Sequence, residues 1–195
     1  MNNHVTVLEI DGNALLHNLN YFKQKLQSQT KILAVVKAFG YGSDGVQVAK
    51  FLKDKVAYFA VAYTHEGVAL REAGIQTPIL VLHPHIQNLQ SIMDFKLEPA
   101  LYNFNIFNAF LQLAVEASLL NYPVHIKFNT GLNRLGFHPT EIPKILTALK
   151  QINQVKVQAI FSHLAASEDL EEVDFTTNQI MNFEKIVQQF NIHLG

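Results

Sequence analysis

Short runs of apolar, β-prone residues recur along the chain, separated by segments whose apolar positions repeat every three to four residues. The runs are Ile32-Leu-Ala-Val-Val36, Tyr58-Phe-Ala-Val61, Ile79-Leu-Val-Leu82, the weaker Glu98-Pro-Ala-Leu101, Val124-His-Ile-Lys-Phe128 and Val155-Lys-Val-Gln-Ala-Ile-Phe161. Most do not alternate apolar with polar, the pattern of strands buried on both faces. Helical periodicity appears in Val46, Ala49, Leu52 and Lys53, in Ile106, Phe107, Phe110, Leu111, Ala114 and Val115, and in Ile142, Ile145, Leu146 and Leu149. An earlier helix is expected from an N-cap at Asp11 through Leu15, Leu19 and Phe22, and a late one over about Phe175 to Phe190. Strands alternating with helices predict an α/β fold with a parallel sheet.

A closed (β/α)8 TIM-type barrel needs eight βα units, and six are countable here. The chain ends at His193-Leu-Gly195, where a further strand would begin. The expectation is a single domain over residues 1–195, a barrel truncated to about six units. A doubly wound open sheet is the competitor, although no G-x-G-x-x-G follows the first strand.

Composition narrows the function classes. An apolar fraction of 49%, a charged fraction of 16% and a mean hydropathy of +0.10 suit a packed domain. Fifteen Lys and Arg against 16 Asp and Glu leave a net charge of −1, with no electrostatic footprint for nucleic acid or an anionic membrane. The absence of Cys excludes disulfides, thiolate zinc sites and cysteine nucleophiles. No run approaches the roughly 18 apolar residues of a membrane span, and Met1-Asn2-Asn3-His4 lacks a basic, apolar leader. The chain therefore reads as soluble and cytoplasmic.

Three segments carry candidate chemistry. In Ala34-Val-Val-Lys-Ala-Phe-Gly-Tyr-Gly-Ser-Asp-Gly45, Lys37 ends a buried strand, and strand C-termini form the ligand face of parallel α/β folds. Desolvation there would ease its deprotonation and favour imine formation with a carbonyl, the alternative being a lysine whose head reaches water. Gly40, Gly42 and Gly45 would let backbone approach a ligand and help hold a phosphate, or simply make a turn, and Tyr41 offers a hydroxyl. In His125-Ile-Lys-Phe-Asn-Thr-Gly-Leu-Asn-Arg-Leu-Gly-Phe137, Lys127 shares a strand face with His125 and Asn129 and needs a counter-charge or a modification. Arg134 sits in a glycine-flanked loop suited to gripping a carboxylate, or lies free on the surface. Ile160-Phe-Ser-His-Leu-Ala-Ala-Ser-Glu-Asp169 ends a strand with His163, able to stack on a ring. His83-Pro-His85 reads as a solvated loop rather than a metal site, no metal is expected, and the acidic run Glu168 to Asp174 fronts the last helix.

Together these segments resemble the alanine racemases, fold-type III pyridoxal-phosphate (PLP) enzymes. The resemblance lies in Ala34-Val-Val-Lys-Ala-x-x-Tyr-Gly-x-x-Gly45, Lys127-x-x-Thr-Gly-x-x-Arg-Leu-Gly-Phe137 and Ser162-His-Leu-Ala165, preceded by Leu8-Glu-Ile-Asp11. It covers essentially the whole chain but only the N-terminal barrel of the family, without its C-terminal β domain. It implies that Lys37 binds PLP covalently and serves as one of two acid/base groups, that Tyr41 meets the cofactor phosphate and that His163 lies against the pyridine ring. It further implies that Arg134 sits by the phenolic oxygen and the substrate carboxylate, and that Lys127 is carbamylated (an N6-carboxylysine) and orients Arg134. The implied activity is interconversion of L- and D-alanine for peptidoglycan by a homodimer, with the opposite-face tyrosine supplied by the partner subunit. Alternatives are another fold-type III decarboxylase or aldolase, or a PLP-homeostasis barrel. Two departures stand out: Asn129 where the family has Asp, and Phe39-Gly40 in place of Asn-Ala.

Overall fold

A computed structural model describes residues 6–194; the reading of Met1 to His4 and Gly195 lie outside them. Six strands form one sheet: β1 (Leu33–Val35), β2 (Tyr58–Val61), β3 (Ile79–Val81), β4 (Glu98–Leu101), β5 (Tyr122–Lys127) and β6 (Val155–Phe161). Each pairs in parallel with the next, in the order β1-β2-β3-β4-β5-β6. That sequential order decides between the two expected architectures. A doubly wound sheet reverses its strand order at a switch point, whereas a (β/α)8-type barrel adds each strand beside the last. The fold is the barrel type, with six of its βα units among the described residues.

The helices are α1 (Gly12–Lys25), α2 (Lys37–Tyr41), α3 (Gly45–Leu52), α4 (Thr64–Glu72), α5 (Leu89–Asp94), α6 (Phe104–Glu116), α7 (Ile142–Lys150) and α8 (Val173–Leu194). Local chemistry starts several of them. The Asp11 carboxylate accepts the Asn13 and Ala14 N–H groups of α1, Asp44 does the same for Val46 and Gln47 of α3, and Asn103 accepts from Ile106 of α6. Asp169 caps a short 3-10 turn, Leu170–Glu172, that leads the acidic run into α8. Helix α8 continues through Leu194, so the strand expected from His193 does not form there.

Three helices escape the apolar pattern: α2, a single five-residue turn, and α4 and α5. The buried face of α4 is Thr64, Gly67 and Leu70, too polar and small to register as periodic, and α5 has only six residues. Within the recognised helices the pattern holds at the centre and fails at the ends. Ile142, Ile145, Leu146 and Leu149 are all buried, while Lys53 and Val115 are exposed and Phe22 turns outward beside Tyr21.

Strand alternation divides the core in two. Phe59, Ile79, Val81, Leu101, Val124 and Ile126 point outward into the main core beneath the helices. Ala60, Leu80 and Ala100, with Leu82 and Phe161, form a smaller apolar patch inside the barrel. The central strands are buried on both faces as expected, whereas Leu33 and Val35 of β1 are exposed because nothing pairs beyond that edge among the described residues.

Candidate active site at the strand C-termini

Lys37 leaves β1 through an unusual segment of backbone. In α2 the residues Ala38, Phe39, Gly40 and Tyr41 have φ of 52, 54, 61 and 54°, a single left-handed turn. Such a turn costs L-residues roughly 1–2 kcal/mol each, so surrounding contacts must hold it. The Gly40 amide donates to Val36 O at 3.2 Å and the Ser43 amide to Gly40 O at 3.1 Å. A Cβ on Gly45 would stand 2.6 Å from Val36 O, and one on Gly40 2.8 Å from Gly45 N. Gly40 and Gly45 let the turn fold back onto its own strand, and backbone fills the space they free. Glu66 of α4 adds a long-range hold, its Oε1 accepting the Ala38 N–H at 2.7 Å.

Lys37 itself is half-buried, less desolvated than its apolar flanks suggested. Its Nζ lies 6.0 Å from the centre of the Tyr41 ring, which is largely exposed. Both border a cavity of about 570 Å³ inside the barrel, with His163 on the same rim and Ala60, Leu80 and Leu82 along its apolar wall. Deeper in the barrel, Tyr58 Oη donates to Glu98 Oε2 at 3.1 Å and His125 Nε2 meets the same oxygen at 2.6 Å. Burial, and then the Glu98 carboxylate, push the Tyr58 hydroxyl up to about 12.

Lys127, two residues along β5 from His125, is 5% exposed, and its Nζ stands 5.8 Å over the Phe161 ring. Among the described residues no carboxylate is within ion-pair distance of it. Desolvation, reinforced by Arg134 and Lys37, holds its ammonium below the usual lysine range. The loop after β5 is closed by Phe137 N to Lys127 O at 2.8 Å and Asn129 N to Phe137 O at 2.9 Å. Asn129 does not continue the face of Lys127: its Oδ1 accepts the Gly131 and Asn133 amides and shapes this loop. Arg134 is exposed near the loop tip and reaches Lys127 through its field rather than a hydrogen bond.

His163 is held by a residue that motif reading does not reveal. Gln179 of α8, 1% exposed, donates to His163 O at 3.2 Å and Thr130 Oγ1 at 3.3 Å while its Oε1 accepts from Ala165 N at 2.9 Å. Ser162 Oγ, 2.7 Å from Thr130 Oγ1, donates to Phe128 O, completing the link between the β5 and β6 ends. Desolvation, then Arg134, Lys127 and Lys37, lower the His163 imidazole below its ordinary value, so it is neutral near pH 7. His83 is shifted downward by burial and the same three cations. It is packed between Tyr63 and Tyr102, not in the solvated loop expected of it, while His85 is exposed.

The structure thus brings Lys37, Tyr41 and His163 around one cavity and sets Lys127 and Arg134 close enough to bias it electrostatically. An amine, a phenol and a neutral imidazole lining an apolar hollow, within the fields of Lys127 and Arg134, suit a planar, anionic aldehyde. The donor set therefore fits PLP.

Residues 10–194 match the model of the alanine racemase N-terminal domain. The chain belongs to that family. An alanine racemase of Thermodesulfovibrio yellowstonii is 34% identical over 191 residues, covering 96% of this chain and 50% of that protein. One of Geobacter sp. strain M21 is 35% identical over 196 residues, covering 97% and 51%. The solved alanine racemase of Clostridium difficile 630 superposes with a TM-score of 0.87 at 30% identity, covering 96% of this chain and 50% of that one. The chain spans about half the length of the relatives it matches.

Proposed function

We propose that this chain is the cofactor-binding barrel, as a single domain over 1–195, of a PLP-dependent alanine racemase that interconverts L- and D-alanine and supplies D-alanine for peptidoglycan. The observation that supports the reading is Lys37, which stands between the end of β1 and a left-handed turn and lines the same cavity as Tyr41 and His163, within the fields of Lys127 and Arg134. When bound, PLP supplies the electron sink that makes the substrate Cα proton removable. Lys37 would hold the cofactor aldehyde and would exchange a proton with one face of that carbon. Tyr41 would donate to the cofactor phosphate, and neutral His163 would pack against the ring without competing for its charge. Arg134 offers its guanidinium fork to the substrate carboxylate.

Lys127 is proposed to be carbamylated: a lysine with its ammonium disfavoured is a better nucleophile towards CO2, and the resulting anion would pair with Arg134. The longer protein is proposed to act as a cytoplasmic homodimer whose partner subunit serves the opposite face of the substrate carbon. No helix among the described residues is long and apolar enough to cross a membrane.

The test uses the longer protein carrying this barrel, with and without Lys37→Ala. A visible absorbance band on PLP addition that vanishes in the variant, with D-alanine formed from L-alanine in a chiral assay, is the expected result. Lysine-dependent cofactor binding without racemisation would instead favour a decarboxylase, an aldolase or a PLP carrier.

A further inference from the structure

Glu66 occupies the third position of α4, where a carboxylate commonly reaches back to cap its own helix. Its Oε2 does so, accepting the Ala62 N–H at 2.6 Å and the Tyr63 N–H at 3.0 Å. Capping needs no more than this oxygen. Yet Oε1 leaves the helix and accepts the Ala38 N–H at 2.7 Å, 28 positions away. That amide joins Lys37 to Ala38 and opens the left-handed turn, in which Ala38, Phe39 and Tyr41 all pay the steric cost of a Cβ at positive φ. One carboxylate thus grips the ends of β1 and β2 at once.

We propose that Glu66 is the positioning residue for Lys37, fixing the amide that follows it so that the amine stays on the cavity rim. The proposal rests on the reading of Lys37 as the cofactor-binding amine. The chemistry calls for a carboxylate. Three N–H donors converge on two oxygens, and a glutamine would turn its own NH2 onto one of them.

The test compares the chain with Glu66→Gln, Glu66→Asp and, as a control for loss of a helix cap, Asn103→Ala, which uncaps α6. In the protein without added cofactor, amide exchange by NMR is expected to be about tenfold or more faster at Ala38 in Glu66→Gln, with α6 unchanged. In Asn103→Ala the reverse holds. Glu66→Asp keeps a carboxylate for Ala62 and Tyr63 but falls a methylene short of Ala38, and should show the same local loss even if Glu66→Gln fails to fold. With PLP and borohydride, labelling of Lys37 mapped on peptides should be slower in both Glu66 variants and unchanged in Asn103→Ala. Unaltered Ala38 exchange in both Glu66 variants, or unaltered Lys37 labelling beside a normally labelled parent, overturns the proposal. No Lys37 labelling in the unsubstituted chain overturns the cofactor reading instead, and the Ala38 exchange rate then decides the hold of Glu66 on the turn by itself.

Discussion

Lys127 faces a problem that its neighbours make worse. It is buried on the inner barrel face, within the fields of Arg134 and Lys37 and without a carboxylate among the described residues in ion-pair reach. Its folded pKa is lowered, so between that value and the unfolded value near 10.5 the unfolded chain binds more protons, and stability rises with pH through this window. Below the window the full cost of the buried cation remains. Lys127→Met, similar in volume and uncharged, should therefore raise the unfolding free energy in CO2-free buffer by about 1 kcal/mol, read as a higher urea midpoint at unchanged slope. In bicarbonate the unsubstituted protein should recover that difference and gain the mass of one CO2. Equal midpoints in both buffers, with no added mass, would count against carbamylation. The five residues singled out by motif, Lys37, Tyr41, Lys127, Arg134 and His163, are legible in the sequence because their spacing follows single strand-to-loop transitions. Glu66 and Gln179 are not, because the groups they hold lie as many as 28 and 49 positions away and nothing local marks them.

At the level of elements, α4, which the apolar pattern misses, is anchored by polar bonds as well as by its buried Leu70. Arg71 of α4 donates from Nε to Phe95 O at 3.1 Å, from Nη1 to Ile75 O at 2.7 Å and Thr77 O at 2.8 Å, and from Nη2 to Lys96 O at 2.9 Å. One guanidinium thereby ties α4 to the segments that enter β3 and β4. Arg71→Met should lower stability by about 2–3 kcal/mol, read as a lower urea midpoint with an unchanged slope, since four carbonyls lose a charged donor. Arg71→Lys should recover only part, because an ammonium cannot span the same fork. Elements that carry their own apolar stripe, such as α7, were legible; α4, whose place is set by a residue bonding 24 and 25 positions ahead, was not. The strand floor has its own pH signature. Tyr58 of β2 is held neutral beside Glu98 of β4, with a folded pKa of about 12 against 10.0 unfolded. Above pH 10 the folded chain retains a proton that the unfolded chain has lost, so stability should fall between about pH 10 and 12. Tyr58→Phe should flatten that part of a pH series of melting temperatures.

For the whole molecule, the decisive feature is the gap between β1 and β6. Among the described residues β1 pairs only with β2 and β6 only with β5, while Leu33 and Val35 are 38% and 43% exposed along the cavity side. Unpaired strand edges beside apolar surface invite pairing with another copy, so the 195-residue chain should sediment as species larger than a monomer, increasingly so with concentration. The same gap bears on catalysis. Inversion at a carbon acid by a two-base route needs acid and base held on opposite faces in a site shielded from water, and in the proposed reading Lys37 would serve one face of a cavity that is open along its side. The chain by itself should bind PLP through Lys37 yet racemise L-alanine at least roughly a thousandfold more slowly than the longer protein, measured by chiral chromatography on both at equal cofactor saturation. Turnover by the short chain within tenfold of the longer one would mean that a second acid/base group already lies within this barrel. His83, held neutral between Tyr63 and Tyr102 and within the field of Lys37, would then be the first residue to replace.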